Sequence, residues 1–127
     1  MSARTYKQWG PTVTLLNAVE VTTGTPTMGV DLTKEGWDGV HITAYALFPG
    51  SPTDDLDFDV RSSVDGESFD MTPLTAVRLS RATSPNSISL IVKDVAWFRI
   101  FCKRSGSTDT ITVTAKYRPW RYGRSPV

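Results

Sequence analysis

The chain has 127 residues, 39% hydrophobic and 21% charged, with a formal net charge of +1. That is the size of one domain with one core, able to bury roughly two-thirds of its unfolded surface without disulfides or metal. The single cysteine, Cys102, excludes an internal disulfide framework, near-neutrality argues against a broad nucleic-acid-binding field, and no apolar run approaches membrane-spanning length.

Met1–Trp9 lacks the apolar stretch of a signal peptide, which predicts a soluble protein made in a cytoplasm. Residues 1–11 read as a polar arm that carries Tyr6 and Trp9 and ends at Gly10-Pro11. Thr12–Thr23 is β-branched and predicts a strand, broken by Gly24–Pro26, with a short strand at Thr27–Asp31. Lys34–Gly39 is a turn with two glycines, and Val40–Phe48 a strand closed by Pro49-Gly50-Ser51-Pro52. In Leu56–Val64, Leu56, Phe58 and Val60 point one way and Asp57, Asp59 and Arg61 the other. Asp65-Gly66 predicts a type I′ hairpin, with Ser68–Val77 as the return strand; Pro73 within it argues for an edge position or a bulge. Arg81–Asn86 is a loop.

The strongest period-two signal spans Ser87–Tyr117. Ile88, Leu90 and Val92 alternate with Ser89, Ile91 and Lys93; Phe98, Ile100 and Cys102 with Trp97, Arg99 and Phe101; Ile111, Val113, Ala115 and Tyr117 with Thr112, Thr114 and Lys116. Short intervening loops predict that these three strands pair as neighbours. Residues 118–127, RPWRYGRSPV, read as a second arm. No stretch carries a convincing helical period. The expected architecture is all-β: one antiparallel β-sandwich or jelly roll of about eight strands over 12–117, with arms at 1–11 and 118–127. Its expected core is Leu56, Phe58, Val60, Ile88, Leu90, Phe98, Ile100, Ile111 and Val113.

Candidate chemistry is sparse. Cys102, on an apolar strand face, reads as a small buried hydrophobe; as a nucleophile it would need His41, the sole histidine, as its base. Asp55, Asp57 and Asp59 share a strand face at ~6.5–7 Å spacing, too far apart for one Ca²⁺ unless the strand bends. Positions six and twelve from Asp55 are Val60 and Gly66, so the EF-hand pattern fails; a loop site at Asp54 and Asp55 is the remaining metal reading. A glycosidase carboxylate pair would need a cleft that so small a sandwich hardly provides. The better reading of the acids is a strand face that meets basic side chains, either from its own sheet or from a neighbour. Trp97, Arg99 and Phe101 suit either a covered second layer or stacking on sugars or bases.

Charge divides along the chain. Residues 1–70 hold eleven acids against four bases, leaving −7, and residues 71–127 hold ten bases against Asp94 and Asp109, leaving +8. The 118–127 segment combines Arg118, Trp120, Arg121, Tyr122 and Arg124 with no acid, residue types enriched at protein–protein hot spots. The expected contact residues are therefore Trp9, Arg118, Trp120, Arg121 and Tyr122, with Asp55, Asp57 and Asp59 as the acidic counterpart on a neighbouring subunit. On this reading Trp120 is the anchor, and deleting 118–127 leaves the sandwich folded but unable to assemble.

SVDGESFD (Ser63–Asp70), a loop, and VAWFRIFCKRSGSTDTITVTAKY (Val95–Tyr117) resemble small β-sandwich virion proteins of tailed bacteriophages. Those chains often carry an S-x-DG-x-x-F/Y hairpin, then a strand like W-F-R-I before a Ser/Gly/Thr loop and a Thr/Val-rich final strand. The likeness covers about half the chain, Val60–Tyr117. It implies a non-enzymatic capsid cement or decoration protein, or a neck or tail component, without cofactor or metal. Implied partners are a major capsid protein or other virion structural protein and further copies of itself. No membrane partner is expected, and nucleic acid is the less favoured competitor for the basic 118–127 segment because the chain lacks a broad basic field. The implied location is the virion, assembled in the host cytoplasm. The reading from another class is a carbohydrate-binding module that stacks sugars on Trp97, Phe101 or Trp37.

Overall fold

The computed structural model describes residues 4–22 and 24–125, with backbone alone at 4, 5, 124 and 125. Ten strands form: β1 (Arg4–Trp9), β2 (Val13–Val21), β3 (Thr25–Pro26), β4 (Val30–Asp31), β5 (Gly39–Leu47), β6 (Leu56–Ser63), β7 (Thr75–Leu79), β8 (Asn86–Lys93), β9 (Trp97–Arg104) and β10 (Ile111–Ser125). All pairings are antiparallel and fall into two five-stranded sheets. Sheet A runs β1–β10–β5–β8, with β2 beside β1 on the same flank of β10; sheet B runs β3–β9–β6–β7, with β4 likewise beside β3 on β9.

Counting β1/β2 as one interrupted strand and β3/β4 as another leaves eight positions in chain order. Sheet A then reads 1-8-3-6 and sheet B 2-7-4-5, the strand order of a jelly roll. The core lies between the sheets. Ala44, Ala46 and Ala115 of sheet A share it with Phe58, Phe98 and Ile100 of sheet B, small against large as face-to-face sheets require. Phe98 is buried and Trp97 points outward, so the predicted register of β9 holds. Of the expected core, only Ile88 and Leu90 are half-buried rather than fully enclosed.

The strands between 87 and 117 form where alternation predicts, but they are not neighbours. β8 pairs with β5, β9 with β6, and β10 with β5, so the chain crosses between sheets at each loop. Asp94 takes φ 61° and donates its N–H to Asp38 O at 3.2 Å, which turns the chain out of sheet A. Three residues reach ~10 Å, the spacing of packed sheets, so 94–96 suffices. β9 is apolar on both faces and takes a central place, between β6 and β3/β4.

The Asp65-Gly66 hairpin also differs from expectation. β6 ends at Ser63 and its return strand is Thr75–Leu79 alone, with 64–74 as a long excursion. Asp65 Oδ1 accepts from the N–H groups of Glu67 and Ser68, while Ser63 Oγ accepts from those of Asp65 and Gly66. Gly66 has φ 79° as foreseen, yet the cap opens a loop rather than a two-residue turn. Pro73 lies outside the strand, and β7 is an edge.

Within the described residues neither terminal segment is an arm; positions 1–3, 126 and 127 of the expected arms lie outside them. Arg4–Trp9 and Trp120–Ser125 pair with each other as β1 and the end of β10, so the sandwich spans 4–125 rather than 12–117. Pro119 sits mid-strand without cost to the β5 ladder. Its carbonyl accepts from Gly10 N–H at 2.8 Å, so its missing N–H faces the break at Gly10-Pro11 between β1 and β2.

Candidate assembly surface

β5 begins at Gly39, opposite Trp120, so β10 beyond that point pairs only with β1. Asp38 extends the β5 side by one step: its N–H donates to Trp120 O, and its carboxylate accepts from Tyr122 N–H, both at 2.8 Å. The result is a two-stranded ribbon at one end of sheet A. Such ribbons are marginal alone and need side-chain support on both faces.

On the outer face, Trp9 and Trp120 form a cross-strand pair with ring centroids 5.6 Å apart. Lys7 Nζ lies 4.5 Å from the Trp120 ring centre, and the Arg118 guanidinium 5.6 Å from that of Trp9. Trp120 lies flat over Gly39, where any Cβ would stand 2.5 Å from its ring atoms. On the other face the Arg121 guanidinium covers Trp37 at 5.0 Å, while its Nε donates to Gln8 Oε1 and its Nη1 to Glu35 O. Tyr6 packs on Gly123.

Trp120 was expected to be an anchor for a neighbour; instead it is 2% exposed inside its own chain. Its partner strand β1 brings Trp9 and Lys7 down onto it. Arg118 and Arg121 are likewise engaged at home, Arg118 Nε donating to Gly10 O. Trp9 and Tyr122 remain open at 40% and 54%, joined by Tyr6 at 46%. Lys7, Trp37, Asp38 and Gly39 complete the ribbon, and reading the termini as separate arms concealed them. The one local hint was Gly39 opposite a strand-forming tryptophan.

The acidic set is also spoken for within the chain. Asp57 takes a two-point contact from Arg78, Nε at 2.7 Å and Nη2 at 3.2 Å, which holds the guanidinium pKa above its ordinary value. Asp55 meets Arg81 and Arg78, at 3.3 and 3.9 Å, and Asp59 lies 3.6 Å from Arg61. Asp59 is buried, so the three carboxylates do not form an open counterpart for another subunit's basic residues. Among the described residues, no group of three or more potential metal ligands converges.

Asp54, read from the sequence only as half of a loop metal site with Asp55, and Asp109 clasp each other's loops. Asp54 Oδ2 accepts from the N–H groups of Thr108 (3.0 Å) and Asp109 (2.8 Å); Asp109 Oδ2 accepts from those of Thr53 and Asp54, both 2.7 Å. Gly106 lies so near the Asp54 carboxylate that a Cβ there would collide with it. The Asp54 N–H, then the Thr53 N–H and hydroxyl, hold the Asp109 carboxyl below its usual value of 3.8. A depressed acid pKa contributes stability above the unfolded value and loses it as pH falls through the folded one. Asp109→Asn should therefore lower the melting temperature most near neutrality, with the gap to wild type closing below about pH 4. Melts from neutral to strongly acidic pH test this, and a gap that stays constant contradicts it. Asp31 and Asp65, lowered by Thr33 and by the Glu67 and Ser68 N–H groups respectively, keep an acid limb in the variant.

The structure separates His41 and Cys102. His41 projects from the outer face of sheet A, and Cys102 points into the core from sheet B. Burial pushes the thiol pKa up to about 12, with the Asp59 charge adding to it. Iodoacetamide should leave Cys102 unmodified in the native protein and label it only as the protein unfolds. Native-state labelling at the rate of a free thiol would place the residue elsewhere. The three aromatics considered as a sugar platform already have ring partners: Phe101 under Arg61, Trp97 against Gly66, and Trp37 under Arg121.

Charge in space differs from charge along the chain. The strands of sheet A hold seven bases (Arg4, Lys7, Lys93, Lys116, Arg118, Arg121, Arg124) against Glu20. The loops at the ribbon's end of the sandwich, 32–38, 64–74 and 94–96, hold Glu35, Asp38, Asp65, Glu67, Asp70 and Asp94 against Lys34. A basic ribbon thus stands beside an acidic rim.

No protein-family model matches the chain, and no curated protein matches it. A solved structure from work on Bacillus endospore appendages, "a novel family of disulfide-linked pili", aligns over 94% of this chain and 90% of that chain with TM-score 0.48 and 8% sequence identity. A likeness of that strength carries no argument about what this chain does.

Proposed function

We propose that the chain is a non-enzymatic structural subunit of a tailed-phage virion, a cement or decoration protein that attaches through the β1/β10 ribbon. The observation that carries this is the ribbon itself, held rigid on both faces and presenting Tyr6, Trp9 and Tyr122 with no acid among its strand residues. Preordered aromatics lose little side-chain entropy on binding and are the residue types that dominate interfaces. The acidic rim beside the basic ribbon gives that end a polarity that orients a partner. The jelly roll serves capsid proteins and lectins alike, so the fold supports the reading without deciding it. A neck or tail position draws on the same ribbon.

A second reading has its own observation. Exposed aromatics on a basic ribbon also suit single-stranded nucleic acid. The acidic rim weighs against it, because phosphates approaching Tyr122 would meet Asp38 and Asp94.

The test is co-expression of the chain with the products of the genes flanking its own, followed by gradient sedimentation of the particles formed. The chain should co-sediment at fixed stoichiometry, and the Tyr6→Ser/Tyr122→Ser double variant, which keeps the Trp9–Trp120 pair, should fold yet stay at the top of the gradient. A wild-type chain that enters no particle, or a double variant that co-sediments equally, overturns the proposal. Binding to oligodeoxythymidine with steep salt dependence would favour the second reading.

A further inference from the structure

Sheet edges invite pairing with other chains, and proteins blunt them with charge, proline, bulges or shortness. Among the described residues, this chain blunts every edge but one. β2 slips register twice along β10 and carries Ala18 at φ 50°. β3 and β4 are two residues each, and β3 contains Pro26. β7 is five residues long and holds Arg78 tied to Asp57. β1 carries Arg4 and Lys7.

β8 has none of these. It pairs with β5 over eight consecutive positions without a slip, and it is uncharged until its last residue, Lys93. Among the described residues, no strand pairs with its other side. The sandwich is also open there: Ile88 and Leu90 face the core side yet are only half-buried, and Ile91 on the outer face is 62% exposed. A long, regular, apolar, uncharged edge is an association site.

We propose that this edge pairs antiparallel with the β8 edge of a second copy about a two-fold axis, joining the two A sheets into one. An antiparallel strand is complementary to itself about such an axis. Charge selects the second copy and this edge. Apart from Lys93, the bases of sheet A lie on β1 and β10, and β5, which carries no Asp, Glu, Lys or Arg, separates them from β8. Joining through β8 puts the two basic flanks at opposite ends of the combined sheet. Joining through β1 would set Arg4 and Lys7 of both copies against each other. Side-chain parity requires odd-numbered positions to pair with odd, so that Ser87, Ser89 and Ile91 of both copies share the outer face, while Ile88 and Leu90 extend the core across the seam.

The inference does not rest on the virion reading, since the ribbon lies at the opposite flank of the sheet. Sedimentation velocity on the full chain up to roughly 100 µM, where a modest interface registers, should show a monomer–dimer equilibrium. Ser87→Lys/Ile91→Lys places four ammonium groups around the axis while keeping the Ser89–Thr43 hydroxyl hydrogen bond to β5. That variant should keep the wild-type melting temperature and lose association by roughly tenfold or more. Hydrogen exchange should show the outward β8 amides protected in the wild-type dimer and open in the variant. A wild-type chain that stays monomeric, or a variant that dimerises equally well, overturns the proposal.

Discussion

Phe98→Ala is expected to lower the unfolding free energy by about 3–5 kcal/mol, the range for a large aromatic removed from a packed core. Phe98 is fully enclosed, on the central strand of sheet B, and lies edge-on to Tyr117 of sheet A with ring centroids 5.7 Å apart at 87°. It therefore spans both layers, and truncation removes packing from each. Its register partners Val30 and Ser62 cannot fill the void: Val30 belongs to a two-residue strand, and Ser62, on the same face, is small and donates its hydroxyl to Asp70. Phe98→Leu should cost less, since it keeps much of the volume. Denaturant unfolding measures both. A loss under about 1 kcal/mol for the alanine variant would mean that the site collapses, or that the strand is shifted by one residue.

What the sequence discloses here is local, and what it withholds is partnership. The alternation at Ile88–Val92, Phe98–Cys102 and Ile111–Tyr117 identifies three strands and their inward faces, because period two is a property of a single segment. It does not say which strands touch. A three-residue connection such as 94–96 serves a hairpin and a cross-over between sheets equally well, and only Asp94's positive φ and its bond to Asp38, fifty-six residues earlier, favour the second. Asp65-Gly66 shows the same limit. Its dipeptide signals a tight turn, but Ser63 and Asp65 cap an open loop, and the Arg99 guanidinium, 4.6 Å from the Phe69 ring, fastens that loop over sheet B. Of the candidate contact residues, the exposure of Trp9 and Tyr122 follows from their position on a ribbon that no sequence pattern announces. The burial of Trp120 needs Gly39, Trp9 and Lys7 together, residues brought in from two other strands, β5 and β1.

Trp120→Ala is expected to cost about 3–5 kcal/mol, comparable to a core aromatic, although the ring lies on the outer face of its sheet. Its enclosure comes from Trp9 across the ladder, Lys7 over one ring face and Gly39 beneath it, none of them part of the main core. Truncation would leave the two tryptophans' stacking unmade, strip the cover from the Gly39 backbone and remove the support that holds β1 against β10. The cost should therefore appear first as fraying of residues 4–9, visible as faster amide exchange in β1 than in β5. Trp120→Phe separates two contributions. The indole N–H is buried with no hydrogen-bond partner among the described residues, so removing it relieves a desolvated donor while most of the ring remains. That variant should lose much less than the alanine one. The same geometry reverses the outcome that a free arm would give: deleting 118–127 should melt β1 and destabilise the sandwich instead of leaving it intact. A truncated chain with the wild-type melting temperature would show that the ribbon carries no part of the fold, and Trp120 would then be available to a partner after all.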